Sequence, residues 1–167
     1  MRVREAIPSD SARLVAFFRT VYSETNFMLF EPNEFTVTEE QQARRIEEMS
    51  RSDSGAMFVC ETDNELIGAV FGNRGIARRT RHSLYVVIGV LQAWVGQGVG
   101  RALLEALEAW ARSRGLHRLE LTVDVDNRRA IALYEKCGFA REGVKRHSRK
   151  VDGNYSDELY MSKLIAV

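Results

Sequence analysis

Cysteine is scarce in this chain: Cys60 and Cys137 are the only two among 167 residues. Two thiols make no disulfide framework, and neither belongs to a metal-ligand spacing. An excess of one charge is also absent. Lys and Arg total 24 and Asp and Glu 23, a net charge of +1, which argues against a dedicated nucleic-acid binder. Two basic clusters, Arg78-Arg79-Thr80-Arg81 and Lys145-Arg146-His147-Ser148-Arg149-Lys150, are short and read as solvated edges or local anion contacts. No apolar run is long enough to span a membrane. The first residues, Met1 to Pro8, lack the apolar core of a signal peptide, so a reducing cytoplasm is the expected compartment. There is no repeat, low-complexity stretch or linker. With 45% hydrophobic and 28% charged residues, the composition is that of an ordinary soluble globular protein, and 1–167 reads as one domain.

Periodicity supplies the elements. Arg2 to Ile7 alternates as a short strand. Pro8-Ser9-Asp10 then starts a helix with Leu14, Phe17, Phe18, Val21 and Tyr22 at helical spacing. An irregular segment, Glu24 to Val37, precedes the capping box Thr38-Glu39-Glu40-Gln41 and a helix carrying Ala43, Ile46 and Met49. Met57 to Glu61 and Leu66 to Phe71 form a hairpin around Thr62-Asp63-Asn64-Glu65. Ser83 to Val90 is a central strand. The helical stretch Ala102 to Arg112 is stopped by Gly115. Arg118 to Val123 alternates, Asp126-Asn127 opens a helix that Gly138 closes, and two strands joined at Asp152-Gly153 finish the chain. The order β-α-α-β-β-β-α-β-α-β-β predicts an α/β chain of the α+β type. Its mixed sheet should have about seven strands, flanked on both faces by about four helices.

Between the central strand and the next helix lies Val95-Gly96-Gln97-Gly98-Val99-Gly100-Arg101. A strand, a glycine loop and a helix start bring free backbone N–H groups and a positive dipole end to one spot, which suits a phosphate or pyrophosphate. The loop is not a dinucleotide fingerprint, because Arg101 and Leu103 stand where G-x-G-x-x-G needs its last glycine. It is not a P-loop, because no G-K-[ST] follows. A tight turn with no ligand accounts for three glycines equally well.

A second motif decides between these readings: Asn127-Arg128-Arg129-Ala130-Ile131-Ala132-Leu133-Tyr134-Glu135-Lys136-Cys137-Gly138-Phe139. Together with the glycine loop about 30 residues earlier, it resembles the GNAT superfamily of acyl-CoA-dependent N-acetyltransferases. That family carries [R/Q]-x-x-G-x-[G/A] between strand and helix, then N-x-x-A-x-x-L-Y-x-x-x-G-F. The second motif is matched at every fixed position; in the first, Val95 replaces the usual Arg or Gln.

The resemblance implies acetyl-CoA as cosubstrate, with no metal. Its pyrophosphate would rest on the N–H groups of Val95 to Arg101, and its pantetheine arm would pair with the strand backbone at Gly89 and Val90, near Asn127. Arg101 or Arg129 reaches a phosphate or is a solvated helix charge. Tyr134 is the implied general acid for the departing thiolate, and no cysteine occupies a catalytic position. The general base stays open among Glu24, Glu31, His82, Tyr85 and a water chain, with Glu24, Glu31 and Tyr85 the residues expected near the acceptor. The acid-rich stretch from Glu24 to Glu48 would favour a cationic amine or is plain helix surface. The C-terminal segment from Glu142 to Met161 looks like the subgroup of spermidine and ribosomal-protein N-terminal acetyltransferases, and also like enzymes acting on free amino acids or phosphinothricin. A small-molecule amine (polyamine, amino acid or related amine) is therefore the expected acceptor. A protein N-terminus or lysine is the alternative, and a non-catalytic acyl-CoA-binding module a further one. No nucleic-acid or membrane partner is expected; the sequence leaves the oligomeric state open, and the resemblance, to a family whose members are often dimers, allows a homodimer.

Overall fold

Alternation along the strands sorts apolar side chains onto both faces of one sheet, and amphipathic helices cover them. The structure, a computed structural model, describes residues 1–63 and 65–166. Its elements run β1 (Arg2–Glu5), α1 (Ser11–Glu24), α2 (Glu39–Ser52), β2 (Gly55–Thr62), β3 (Glu65–Arg74), β4 (Ser83–Val90), α3 (Val99–Ser113), β5 (Arg118–Asp124), α4 (Arg128–Lys136), β6 (Ala140–Val151) and β7 (Asn154–Leu164). That is the order expected from the sequence. The hairpin turn expected at Thr62 to Glu65 includes Asn64, which lies outside the described residues.

Local chemistry fixes several boundaries. The Thr38 hydroxyl accepts the Gln41 N–H while Gln41 Oε1 accepts the Thr38 N–H, at 3.2 and 3.0 Å, so the capping box opens α2 as expected. β1 stops at Glu5, short of the expected Ile7. The Ile7 N–H goes instead to the Asp10 carboxylate at 2.9 Å, and a single 3-10 turn, Pro8–Asp10, leads into α1. Helix α3 begins at Val99, three residues before the expected Ala102, so the last part of the glycine loop is helix. Asp152 and Gly153 both have positive φ, which joins β6 and β7 with the right twist.

The seven strands are ordered β1-β2-β3-β4-β5-β7-β6. Every pairing is antiparallel except β4 with β5. On one face Leu84, Val86, Leu119, Leu121 and Met161 pack against Leu103 and Leu107 of α3 and Ile131 and Tyr134 of α4. On the other, Val59 and Ala69 pack against Leu14, Phe17, Phe18 and Val21 of α1. Leu107 is fully buried; truncating such a leucine to alanine costs about 2–5 kcal/mol. These two cores hold the middle of the sheet rigid, and the candidate site lies where it opens.

Candidate functional site at the splayed strands

Strands β4 and β5 start side by side and then part. Their parallel ladder has three rungs, Ser83 with Arg118, Leu84 with Leu119 and Tyr85 with Glu120. Beyond them β4 keeps only β3, through Val90 opposite Gly68, and β5 keeps only β7, through Asp124 opposite Glu158. Among the described residues, each strand therefore presents a backbone edge with no strand partner toward the gap. Such edges can complete their hydrogen bonds with an extended polar ligand. Gly89 and Val90 sit at the open end of β4.

The glycine loop closes that end. Gly96 and Gly98 have φ of +84° and +85°, and a Cβ on either would meet nothing within 4 Å. Conformation, not crowding, asks for glycine at these two positions. Gly100 has the opposite reason: in the first turn of α3, its Cβ would lie 2.8 Å from Leu133 Cδ2. The third glycine thus lets α3 pack on α4, which carries the second motif. Among the described residues the backbone N–H groups from Gly96 to Arg101 meet no protein acceptor, the first bond of α3 being Ala102 N–H to Gly98 O at 3.0 Å. Six consecutive unpaired amides at a helix N-terminus form a cradle for an anion. Arg101 is exposed and engaged by Glu105 at 2.7 Å, so its charge serves the surface of α3 first. Val95 is extended and partly buried, and its own N–H donates to Gln92 O at 3.3 Å, so the open amides begin at Gly96 and not at the expected Val95.

Tyr134 is 8% exposed, held between the sheet and Phe139, whose ring centroid is 5.8 Å away. Burial pushes its phenol well above the ordinary value, and the neighbouring Tyr85 and Cys137 add to the shift. The hydroxyl stays protonated across the physiological range, and it makes no hydrogen bond among the described residues. The ring is buried but the hydroxyl oxygen is not, and a protonated, accessible donor with no protein partner is poised for a ligand. Tyr85 differs: it is half-exposed, and its hydroxyl is 2.9 Å from Thr122 Oγ1, bridging the diverging strands. Both thiols are pushed up by burial, which disfavours a nucleophilic thiolate.

Asn127 caps α4, its Oδ1 accepting the Ala130 N–H at 3.2 Å, which leaves its amide nitrogen for another partner. Glu24 ends α1 and accepts the Gln92 N–H at 2.8 Å, so it caps the 3-10 turn Gln92–Trp94 that follows β4. Glu31 is exposed in a turn where its own N–H goes to Glu34 Oε2 at 2.7 Å. His82 is exposed at the far end of β4. Glu39, Glu40, Glu47 and Glu48 all lie exposed on α2, with Glu48 paired to Arg51 of the same helix at 2.5 Å. They are helix surface. The fold instead brings together Asp124, Arg149, Ser156 and Glu158 beyond the splay, residues not foreseen from the sequence. Asp124 is 6% exposed and accepts from Arg149 Nη1 at 3.1 Å, Ser156 Oγ at 2.9 Å and its neighbour's Asp126 N–H at 2.9 Å. The alternation of β5 does place Asp124 in phase with Glu120 and Thr122, away from the apolar core, but its partner on β6 has no local signal.

Comparison with known proteins agrees with this geometry. The acetyltransferase (GNAT) family model matches residues 18–139. The chain belongs to the GNAT family. The structure of a GNAT-family acetyltransferase from Streptococcus pneumoniae superposes with a TM-score of 0.95 at 31% identity, covering 98% of this chain and 99% of that one. The L-amino acid N-acetyltransferase AaaT of Escherichia coli K12 is 35% identical over 113 residues, 64% of this chain and 67% of AaaT. The N-alpha-acetyltransferase RimI of Mycobacterium tuberculosis is 41% identical over 90 residues, 52% of this chain. This GNAT chain spans only 55% of the length of RimI. It spans 17% of a mycothiol acetyltransferase of Jonesia denitrificans that matches 32% of it, at 52% identity over 54 residues.

Proposed function

We propose that the chain, working as one domain, moves an acetyl group from acetyl-CoA to a primary amine by direct attack in a ternary complex. The observation that carries this reading is the run of unpaired amides from Gly96 to Arg101, set at the mouth of two parted strands beside a free, protonated Tyr134. The amides take the pyrophosphate. The free edge of β4 at Gly89 and Val90 takes the pantetheine arm, and a main-chain N–H there steadies the thioester oxygen as charge builds on it. Asn127 contributes its amide nitrogen, which the cap of α4 leaves unused, to the arm of the cofactor. The neutral amine nitrogen bonds to the carbonyl carbon, the carbon–sulfur bond breaks, and Tyr134 gives its proton to the leaving sulfur. The raised pKa keeps Tyr134 protonated until the thiolate forms. A free thiol titrates near 8.5, about 1.5 units below an ordinary phenol, so transfer to sulfur is uphill on its own and is completed because the proton shed by the amine restores the phenol.

A small amine is the favoured acceptor, supported by the likeness to an L-amino acid N-acetyltransferase. The likeness to an N-alpha-acetyltransferase favours a protein N-terminus as the second reading. A reducing cytoplasm and a homodimer complete the proposal. Purified protein with acetyl-CoA and a panel of polyamines, amino acids and short peptides should release free thiol with one of these classes. Tyr134→Phe should slow that release by roughly a hundredfold or more, as expected for a lost general acid, while leaving acetyl-CoA affinity in place. Equal rates would remove Tyr134 from the chemistry. Tight acetyl-CoA binding with no thiol release from any amine would leave a binding module.

A further inference from the structure

Arg149 lies on β6, and its side chain is 12% exposed. One guanidinium nitrogen, Nη1, donates to Asp124 at 3.1 Å. The other, Nη2, donates to two carbonyls of the α1–α2 connection, Asn26 at 2.7 Å and Met28 at 2.8 Å. That connection has little else to hold its backbone here. The Phe27 N–H goes to the Thr25 hydroxyl at 3.2 Å, and the next backbone bond is the turn between Glu34 and Glu31. Among the described residues, Arg149 is the only partner from elsewhere in the chain that hydrogen-bonds the backbone of residues 25–30. The held residues form a wall. Asn26 and Phe27 line a cavity of about 220 Å³ together with Asp124, Asp126, Tyr155 and Ser156. Two of those lining residues, Asp124 and Ser156, belong to the cluster that orients Arg149.

We propose that Arg149 is a positioning residue for the acceptor: it fixes residues 26–28 against the end of β5 and so keeps the amine's side of the site in shape. The proposal rests on the acetyl-transfer reading, with the α1–α2 connection bordering the acceptor. Arginine suits the task because its planar fork serves a carboxylate with one nitrogen and two carbonyls with the other. A lysine ammonium at the same position can keep Asp124 neutralised but cannot span both groups. Donor binding should be indifferent, since the cradle and the edge of β4 do not touch Arg149.

The test uses Arg149→Lys, with Arg146→Ala on the exposed part of the same strand as control, and the amine identified by the acceptor panel. Arg149→Lys should raise the acceptor KM roughly tenfold, the equivalent of one charge-assisted hydrogen bond, and leave the acetyl-CoA KM within about twofold. Chymotrypsin should cut the variant faster than wild type after Phe27 and Phe30, which reads the loosened segment directly. Arg149→Ala leaves Asp124 buried and unpaired; if it fails to fold, the double variant Arg149→Met/Asp124→Asn removes the clamp without that charge and should behave as Arg149→Lys does. Faster cutting with an unchanged acceptor KM would overturn the proposal while leaving acetyl transfer intact. Equal rises in both KM values, or unchanged cutting, would overturn the clamp itself. A wild-type protein that releases no thiol with any amine would remove the acetyl-transfer reading, and this inference with it.

Discussion

Gly98→Ala puts the glycine cradle under a quantitative test. Gly98 stands at φ +85° and ψ −3° as the residue before α3, with open space where a Cβ would go. An alanine there clashes with nothing, so its cost is backbone conformation alone, about 1–2 kcal/mol for an L-residue in the left-handed region. The variant's stiffer unfolded chain offsets about 0.4–1 kcal/mol of this, leaving a net loss near 1 kcal/mol. That loss shows in one of two places. If the loop keeps its shape, the free protein is less stable; if it relaxes, the free protein recovers and acetyl-CoA must restore the strained form on binding. Restoring 1–2 kcal/mol of strain weakens binding by about five- to thirtyfold. The acetyl-CoA-bound protein carries the loss in either case. Its thermal midpoint at saturating ligand should therefore fall by about 2–4 °C for a chain of this size, measured by calorimetry beside an isothermal titration. Gly100→Ala is the control. Its cost is overpacking against Leu133, about 1–3 kcal/mol, and Leu133→Ala should relieve it but leave Gly98→Ala unaffected. A Gly98→Ala protein that binds acetyl-CoA as wild type and melts at the wild-type liganded temperature would mean that the bound state does not need the left-handed residue, and the cradle reading would fail.

Two further substitutions address the rest of the molecule. Glu24→Gln separates a cap from a base. As the acceptor of the Gln92 N–H, Glu24 should cost about 1 kcal/mol of stability when neutralised and leave kcat within a few-fold, whereas a rate loss of a hundredfold or more would make it the general base. At the start of α1, Asp10 is 3% exposed and takes two bonds from Arg4, at 2.7 and 2.9 Å. Arg4→Met should lower stability by roughly 3 kcal/mol, the low end for a broken buried pair, because Arg13 remains at 3.5 Å. The guanidinium of Arg4, with the Ile7 N–H and Arg13, holds the Asp10 carboxyl below its ordinary value. The stability this brings is complete above the unfolded carboxylate pKa, near 3.9, and fades as pH falls through the lower folded value. The gap in thermal midpoint between wild type and Arg4→Met should accordingly close below about pH 4; a gap constant into acid would detach it from Asp10 ionisation.

The two sides of the site are built from different kinds of interaction, and that decides what the sequence discloses. The donor side is local. Its cradle is six consecutive residues whose glycines are dictated by backbone angle at Gly96 and Gly98 and by the approach of Leu133 at Gly100. The acid proposed for it, Tyr134, stands on the helix that Leu133 packs against α3. Contiguous backbone geometry leaves a contiguous pattern, so the residues proposed for this half can be named from the sequence alone. The strand order is legible for the same reason, since alternation and capping are local. Boundaries moved by a few residues: the β2–β3 hairpin runs further at its open end, to Gly55 and Arg74, and at Glu5 and Val99 a carboxylate and a left-handed glycine acted first. The proposed acceptor side is made of side chains that meet across the fold. Arg149 reaches carbonyls 121 and 123 residues away, and carbonyls carry no sequence identity. Asp124 reads as one more polar residue on an alternating strand until the β6–β7 hairpin lays Arg149 and Ser156 against it. Glu24 and Glu31 invite a catalytic reading because they are acidic and lie in the right segment. The structure spends the first on a backbone N–H and leaves the second in solvent. It follows that substitutions in the glycine loop should move donor binding in proportion to local strain. Acceptor selectivity should instead answer to Arg149, a residue that lines no part of the cavity it shapes.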